Sequence, residues 1–330
     1  MWRGWPSCWV TWLTRAAASA PGKVILVGEH FVVEGQPAIA VAVDVRARVT
    51  AEELGGEPLV EVVSRELGRA SFTGDEGRES PLYPVYVAAR EVMRLAGRVG
   101  GLRVRVESDI PPAAGMGSSA AVAVATVAAV SRLLGLDLSA EEVSRIAYRA
   151  EVVVHGKPSG IDNTISTYGG AIAYRRGEGF LRLDVDFSPV RLVLADSGIP
   201  RSTGAMVAKV RSLKERYPAV LDPIYYAAGR LAVEVGKALE RGDFEVVGEL
   251  MNVNHGLLSA VGVSNRRLEE LVHAAREAGA LGAKITGAGG GGLIVALCWR
   301  EDAERVAEAL EQLATRVLVA PISADGVRYG

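Results

Sequence analysis

Apolar and polar positions divide the chain into segments with two different periods. Leu102, Val104 and Val106 alternate with Arg103, Arg105 and Glu107, which predicts a strand with one buried and one wet face. Similar patterning predicts two short strands around a polar elbow within residues 21–35, followed by a strand over residues 38–45. Further strands are expected at residues 171–174, 181–185, 190–195 and 293–297, with a last strand pair near the end. Helical spacing of apolar residues marks residues 81–96, 203–217, 221–241, 244–260, 265–278 and 302–314. Ser139-Ala-Glu-Glu142 matches a capping box and opens a helix that ends near Gly156. Residues 120–130 are almost all alanine and valine, the mark of a helix buried on every side.

The first half mixes strands with helices and the second is mainly helical, so the seam is placed around residues 177–186. The expected division is an N-terminal extension over residues 1–19, one domain over 20–182 and a second over 183–330. The extension carries Trp2, Trp5, Trp9 and Trp12. A secretory signal does not fit it well, because Pro6 and Ser7 break its apolar centre and it runs directly into a strand.

Composition narrows the classes. At 330 residues and 49% hydrophobic, the chain has ample material for a large core, and its formal net charge of -2 argues against general attraction to nucleic acid or an anionic membrane. No apolar run reaches the roughly 18 residues of a membrane span. Cys8 and Cys298 are the only cysteines, too few for a disulfide framework, which fits a cytoplasmic protein. A small-molecule partner is expected, and a homodimer is compatible with the sequence.

Chemistry concentrates in a few stretches. Pro111, Pro112, Ala113, Ala114, Gly115, Met116, Gly117, Ser118, Ser119, Ala120 and Ala121 read as a strand end, a glycine loop and a helix start. Free N–H groups at such a helix start, with the positive end of its dipole, suit a phosphate. Lys23, Glu29 and His30 interrupt an apolar segment, Glu151 lies inside a helix, and Asp162 follows in a glycine-proline loop. The stretch Asp196-Ser-Gly-Ile-Pro-Arg-Ser-Thr203 stands at a strand-to-helix junction, where loops often face ligands, and residues 287–292 form a second glycine-rich loop read as ligand-facing. The P-loop pattern GxxxxGK[ST] is absent, while Gly115-Met-Gly117-Ser-Ser-Ala120 faintly echoes a dinucleotide fingerprint.

In order, Pro21-Gly22-Lys23, the loop from Pro111 to Ala121 and the stretch from Lys284 to Gly292 resemble the GHMP family of small-molecule kinases, named for galactokinase, homoserine, mevalonate and phosphomevalonate kinases. The resemblance covers nearly all the chain beyond about residue 20. Gly28-Glu29-His30, the segment from His155 to Asp162, and Asn252-Val-Asn-His255-Gly256 are most similar to members that phosphorylate mevalonate. Met116 departs from the leucine usual in the phosphate loop, at similar volume.

The resemblance implies an α+β kinase of two domains, an N-terminal α/β domain like ribosomal protein S5 and a ferredoxin-like C-terminal domain with extra helices. It implies ATP under the first glycine loop, Mg2+ beside it and mevalonate opposite; phosphomevalonate is the alternative acceptor. By the same carry-over Asp162 and Lys23 are catalytic, with Asp162 as base. Ser119 and Glu151, with Ser118 as a further ligand, would hold the metal. Glu29, His30 and Thr203 would face the acceptor, and Gly287, Gly289 and Gly290 would close over the phosphate side.

Overall fold

The computed structural model describes residues 14–111, 115–156 and 158–330. Pro112, Ala113 and Ala114 of the first glycine loop and the four leading tryptophans therefore lie outside the described residues.

The larger sheet is built on two long antiparallel strands, β1 (Arg15–Val27) and β2 (Ala38–Glu53). It also holds β3 (Val60–Ser64), β4 (Gly68–Phe72), β5 (Leu102–Ser108), β6 (Ala171–Arg175) and β7 (Gly179–Leu183). The second sheet contains β8 (Val190–Asp196), β9 (Gly282–Ile285), β10 (Leu293–Trp299) and β11 (Arg316–Ala320), in the antiparallel order β11-β8-β10-β9. The last strand, β12 (Arg328–Tyr329), returns to β1, so the larger sheet runs β12-β1-β2-β5-β3-β4, with β6 on β2 and β7 on β6. Each end of the described chain is thus tied into the same sheet.

The helices α1 (Tyr83–Leu95), α2 (Ser118–Leu133), α3 (Ala140–His155) and α4 (Ile161–Tyr168) belong to the first half. The second half adds α5 (Thr203–Arg216), α6 (Pro218–Glu240), α7 (Phe244–Ala260), α8 (Arg266–Glu277) and α9 (Ala303–Glu311). Helix α2 packs against β1, β2, α1 and α3 and buries nearly every side chain, which its small alanine and valine residues permit. The capping box at the start of α3 forms as predicted: the Ser139 hydroxyl accepts from the Glu142 amide and the Glu142 carboxylate accepts from the Ser139 amide. Such a cap stabilises a helix by about 1 kcal/mol. None of the described helices is long and apolar enough to cross a membrane.

Three local expectations change. The second short strand expected within residues 21–35 is a 3-10 helix, Phe31–Glu34, because the chain turns sharply at Gly28 to His30 and buries Phe31. β1 begins at Arg15, within the stretch assigned to the extension, and β2 continues to Glu53; the two pair along this added length. Asp162, read as a loop residue, is the second residue of α4. Gly160 opens that helix in the left-handed conformation, and its Ile-Asp-Asn-Thr-Ile-Ser-Thr-Tyr sequence is too poor in strong helix formers to have announced it.

Candidate active site

The first glycine loop joins β5 to α2. Gly115 and Gly117 both have positive φ, 77° and 70°, and Gly117 serves as the N-cap of α2 with no side chain capping the helix. The first-turn amides therefore open toward the loop beside Ser118 and Ser119, an arrangement that favours an anion. β1 reaches this point through a register shift between Pro21 and Gly22, and the Lys23 amide donates to the Met116 carbonyl at 2.8 Å. The irregularity thus ties the strand that carries Lys23 to the loop itself.

Lys23 is almost fully buried, and its ammonium lies 3.3 Å from an Asp162 carboxylate oxygen. Gly117 makes room for this pair, since a Cβ there would stand 2.9 Å from Lys23 Cγ and 3.6 Å from Asp162 Oδ2. Glu151, on α3, is 3% exposed, and its carboxyl is pushed up to about 7, first by burial and then by the charge of Asp162. A hydrogen bond from Ser119 and the charge of Lys23 oppose that rise. Two carboxyls, one ammonium and one hydroxyl from four separate elements thus meet at the mouth of α2.

On the other side, His30 is buried and its Nε2 lies 2.8 Å from the Ala288 carbonyl in the second glycine loop. A carbonyl only accepts, so Nε2 carries the proton; burial lowers the imidazole's tendency to take a second one. A cavity of about 350 Å3 opens beside His30, lined also by Glu34, Arg176, Val207, Arg211 and Tyr225. Thr203 is exposed at the first position of α5, one turn before Val207. Glu29, expected to face the acceptor, is instead enclosed: Lys284 pairs with one carboxylate oxygen, and the Asn254 amide donates to the other at 3.1 Å.

The second glycine loop has a packing cause the sequence did not disclose. A Cβ at Gly289 would stand 2.4 Å from the Val263 carbonyl, and one at Gly291 would stand 2.3 Å from that of Ile199. At Gly287 it would meet the Arg201 guanidinium at 2.8 Å, and at Gly115, across in the first loop, it would overlap the same group. Arg201 therefore wedges between both glycine loops, donating to the Thr286 carbonyl at 3.3 Å. Burial lowers its pKa against the attraction of Asp196, and among the described residues it makes no ion pair. Sequence reading singled out its stretch but not Arg201; the available signal was an arginine within a glycine- and proline-led loop entering a helix.

The family model for the GHMP kinases N terminal domain matches residues 84–170, and that for the GHMP kinases C terminal matches residues 237–315. The mevalonate kinase of Thermococcus sibiricus is 44% identical over 330 aligned residues, covering 95% of this chain and 98% of that protein. That of Aeropyrum pernix is 42% identical, covering 96% and 99%. Among solved structures, L. major mevalonate kinase in complex with R-mevalonate superposes with a TM-score of 0.81 at 33% identity, over 92% of this chain and 94% of that one. Relatives at this identity over nearly the full length of both chains and both family domains in order lead to one assignment: the chain belongs to the GHMP kinase family.

Proposed function

We propose that the chain transfers the γ-phosphoryl group of ATP to the primary hydroxyl of mevalonate, giving 5-phosphomevalonate for isoprenoid synthesis. The observation that carries the reading is the Lys23–Asp162 pair, 3.3 Å apart and set against Gly117 where α2 begins. A primary hydroxyl is a weak nucleophile at neutral pH, and phosphoryl transfer needs it aligned, relieved of its proton and shielded from phosphate charge. Asp162 is assigned to orient the hydroxyl and accept its proton. Lys23, paired with that carboxylate, is assigned to stabilise the developing alkoxide. The α2 amides, with the loop from Pro111 to Ala121, receive the phosphates, and the charge of Arg201 between the loops is assigned to a substrate anion.

The donor set beside the phosphate site suits Mg2+. Glu151 and Ser119 offer hard oxygens, with Ser118 alongside, and the raised pKa of Glu151 is what a nearby cation would reverse. Bound there, the ion would neutralise charge on the β- and γ-phosphates. His30, Thr203 and the arginine-bearing cavity are assigned to the acceptor, whose carboxylate and hydroxyls need cationic and hydrogen-bonding groups. The proposed division places phosphate binding in residues 20–182 and the closing loop, with Gly287, Gly289 and Gly290, in residues 183–330.

The relatives' names and the complex of L. major mevalonate kinase with R-mevalonate favour this acceptor over its phosphorylated product. The test is ADP formation by purified protein with Mg-ATP and either mevalonate or 5-phosphomevalonate, with NMR locating the new phosphate. Turnover confined to 5-phosphomevalonate, or phosphate on the tertiary hydroxyl, would refute the reading.

A further inference from the structure

His30 is the only described residue other than glycine with positive φ, at φ 62° and ψ -47°. The Phe31 amide donates to the Glu29 carbonyl at 2.7 Å, closing a three-residue turn centred on His30. These angles and this bond define the rare, strained form of the γ-turn, and a β-carbon makes the conformation costly. Such a turn persists only where its surroundings over-determine it.

The restraints come from both halves of the chain. After the turn, Phe31 is fully buried in the second-half core and meets Tyr225 edge-on, with ring centres 5.0 Å apart. Before it, the Gly28 amide donates to Asn254 Oδ1 at 3.4 Å, while Asn254 Nδ2 donates to Glu29. Lys284 completes the cluster. Its ammonium pairs with Glu29 and donates to the Ile25 carbonyl at 3.3 Å, and its side chain is fully buried. Burial lowers the pKa of this lysine, an effect the Glu29 carboxylate opposes and the charge of Lys23 reinforces. Lys284 also sits on β9, which leads into the glycine loop whose Ala288 carbonyl receives His30.

We propose that Lys284 and Asn254 are positioning residues for the phosphoryl-transfer reaction, clamping Glu29 so that the strained turn fixes the placement and tautomer of His30. A buried ion pair is a poor source of stability compared with well-packed apolar residues, so stability alone does not account for this cluster. Its directional bonds do what apolar packing cannot. They anchor the residue before the turn at defined distances, while the His30–Ala288 contact anchors the ring. With Nε2 held as donor, Nδ1 is left as an acceptor for a substrate hydroxyl. Because Lys284 precedes the glycine loop on the same strand, one side chain sets the acceptor wall and the start of the closing loop together.

The kinetic side of this inference rests on the acceptor role given to His30; the spectroscopic side does not. The chain has four histidines, so 15N-imidazole NMR with a His30→Ala reference assigns the ring of interest. Wild type is expected to show a neutral, Nε2-protonated ring at neutral pH, since burial lowers the imidazole's pKa. In Lys284→Met and in Asn254→Ala, the His30 signals should move toward a tautomer mixture. The kcat/KM for mevalonate should fall about tenfold or more, while the KM for ATP changes less than about threefold. Adding His30→Ala to either variant should cause little further loss, because all three changes act through one ring. Asn254→Ala leaves the ion pair intact and decides the matter if Lys284→Met does not fold. The proposal is overturned if the His30 signals stay unchanged while only thermal stability falls. It is equally overturned if the kinetic losses multiply with that of His30→Ala. Without turnover of mevalonate the acceptor reading fails, and the NMR result still decides the clamp.

Discussion

Glu151→Gln should make the ligand-free protein more stable above neutral pH. The wild-type carboxyl is raised from 4.5 to about 7, with burial the first cause and the Asp162 charge the second. Below pH 4.5 the group is protonated in folded and unfolded chains alike and costs nothing. Between 4.5 and 7 the folded state binds more protons than the unfolded state, so stability falls as pH rises. Once ionised in the fold, Glu151 costs about 3 kcal/mol, from about 1.4 kcal/mol per pH unit of elevation. Glutamine keeps the shape and removes the charge. Urea unfolding in EDTA at about pH 5 and pH 8 should therefore show wild type losing roughly 2.5 kcal/mol more than the variant between the two conditions, part of the cost being present already at pH 5. Near pH 8 the variant should melt about 4 °C higher, scaling the entropy of unfolding to a chain of this length. Asp162→Asn should reduce the wild-type loss, because it removes the second cause. Equal losses in wild type and Glu151→Gln would mean that Glu151 does not carry an elevated pKa, and the electrostatic account of the site would fail.

Four further outcomes are expected. Asp162→Asn should retain ATP binding by calorimetry while kcat falls about a thousandfold or more; a loss under tenfold would remove Asp162 from the chemistry. Arg201→Met should lower kcat/KM by about a hundredfold, with unfolding nearly unchanged, because the guanidinium fills space between two loops without an internal ion pair. Gly289→Ala should cost about 2 kcal/mol or more in urea unfolding, since its Cβ would lie 2.4 Å from the Val263 carbonyl at φ 69°. The Cys298 thiol, buried and pushed up to about 12, should resist alkylation in the native protein near pH 8 and react on unfolding, as peptide mass mapping would show.

Periodicity alone located most helices and strands, because each buries one face against a neighbour and its apolar spacing records which face. It failed where tertiary contacts override local preference. Residues 31–34 look like a strand because Phe31, Val32 and Val33 are β-formers, yet Phe31 must enter the second-half core and the chain coils to deliver it. Helix α4 was missed because its residues favour helix weakly and its left-handed glycine start reads as a loop. Of the site, the glycine loop, Lys23, Glu151, Ser119 and Asp162 were legible as unusual residues in apolar or glycine-rich settings, and the structure brings them together. The enclosure of Glu29 was not, because nothing local pairs it with Lys284, 255 positions away.

The sequence by itself determined most of the elements and their order, the glycine-led start of α2 and the supply of two carboxylates and a lysine. These follow from side-chain spacing, glycine backbone freedom and charge placed in apolar surroundings. Only the tertiary structure decided which glycines serve packing, where Arg201 lodges and what holds His30 in a strained turn. Those are contacts between residues far apart in the chain, fixed by how the two sheets approach rather than by any local preference.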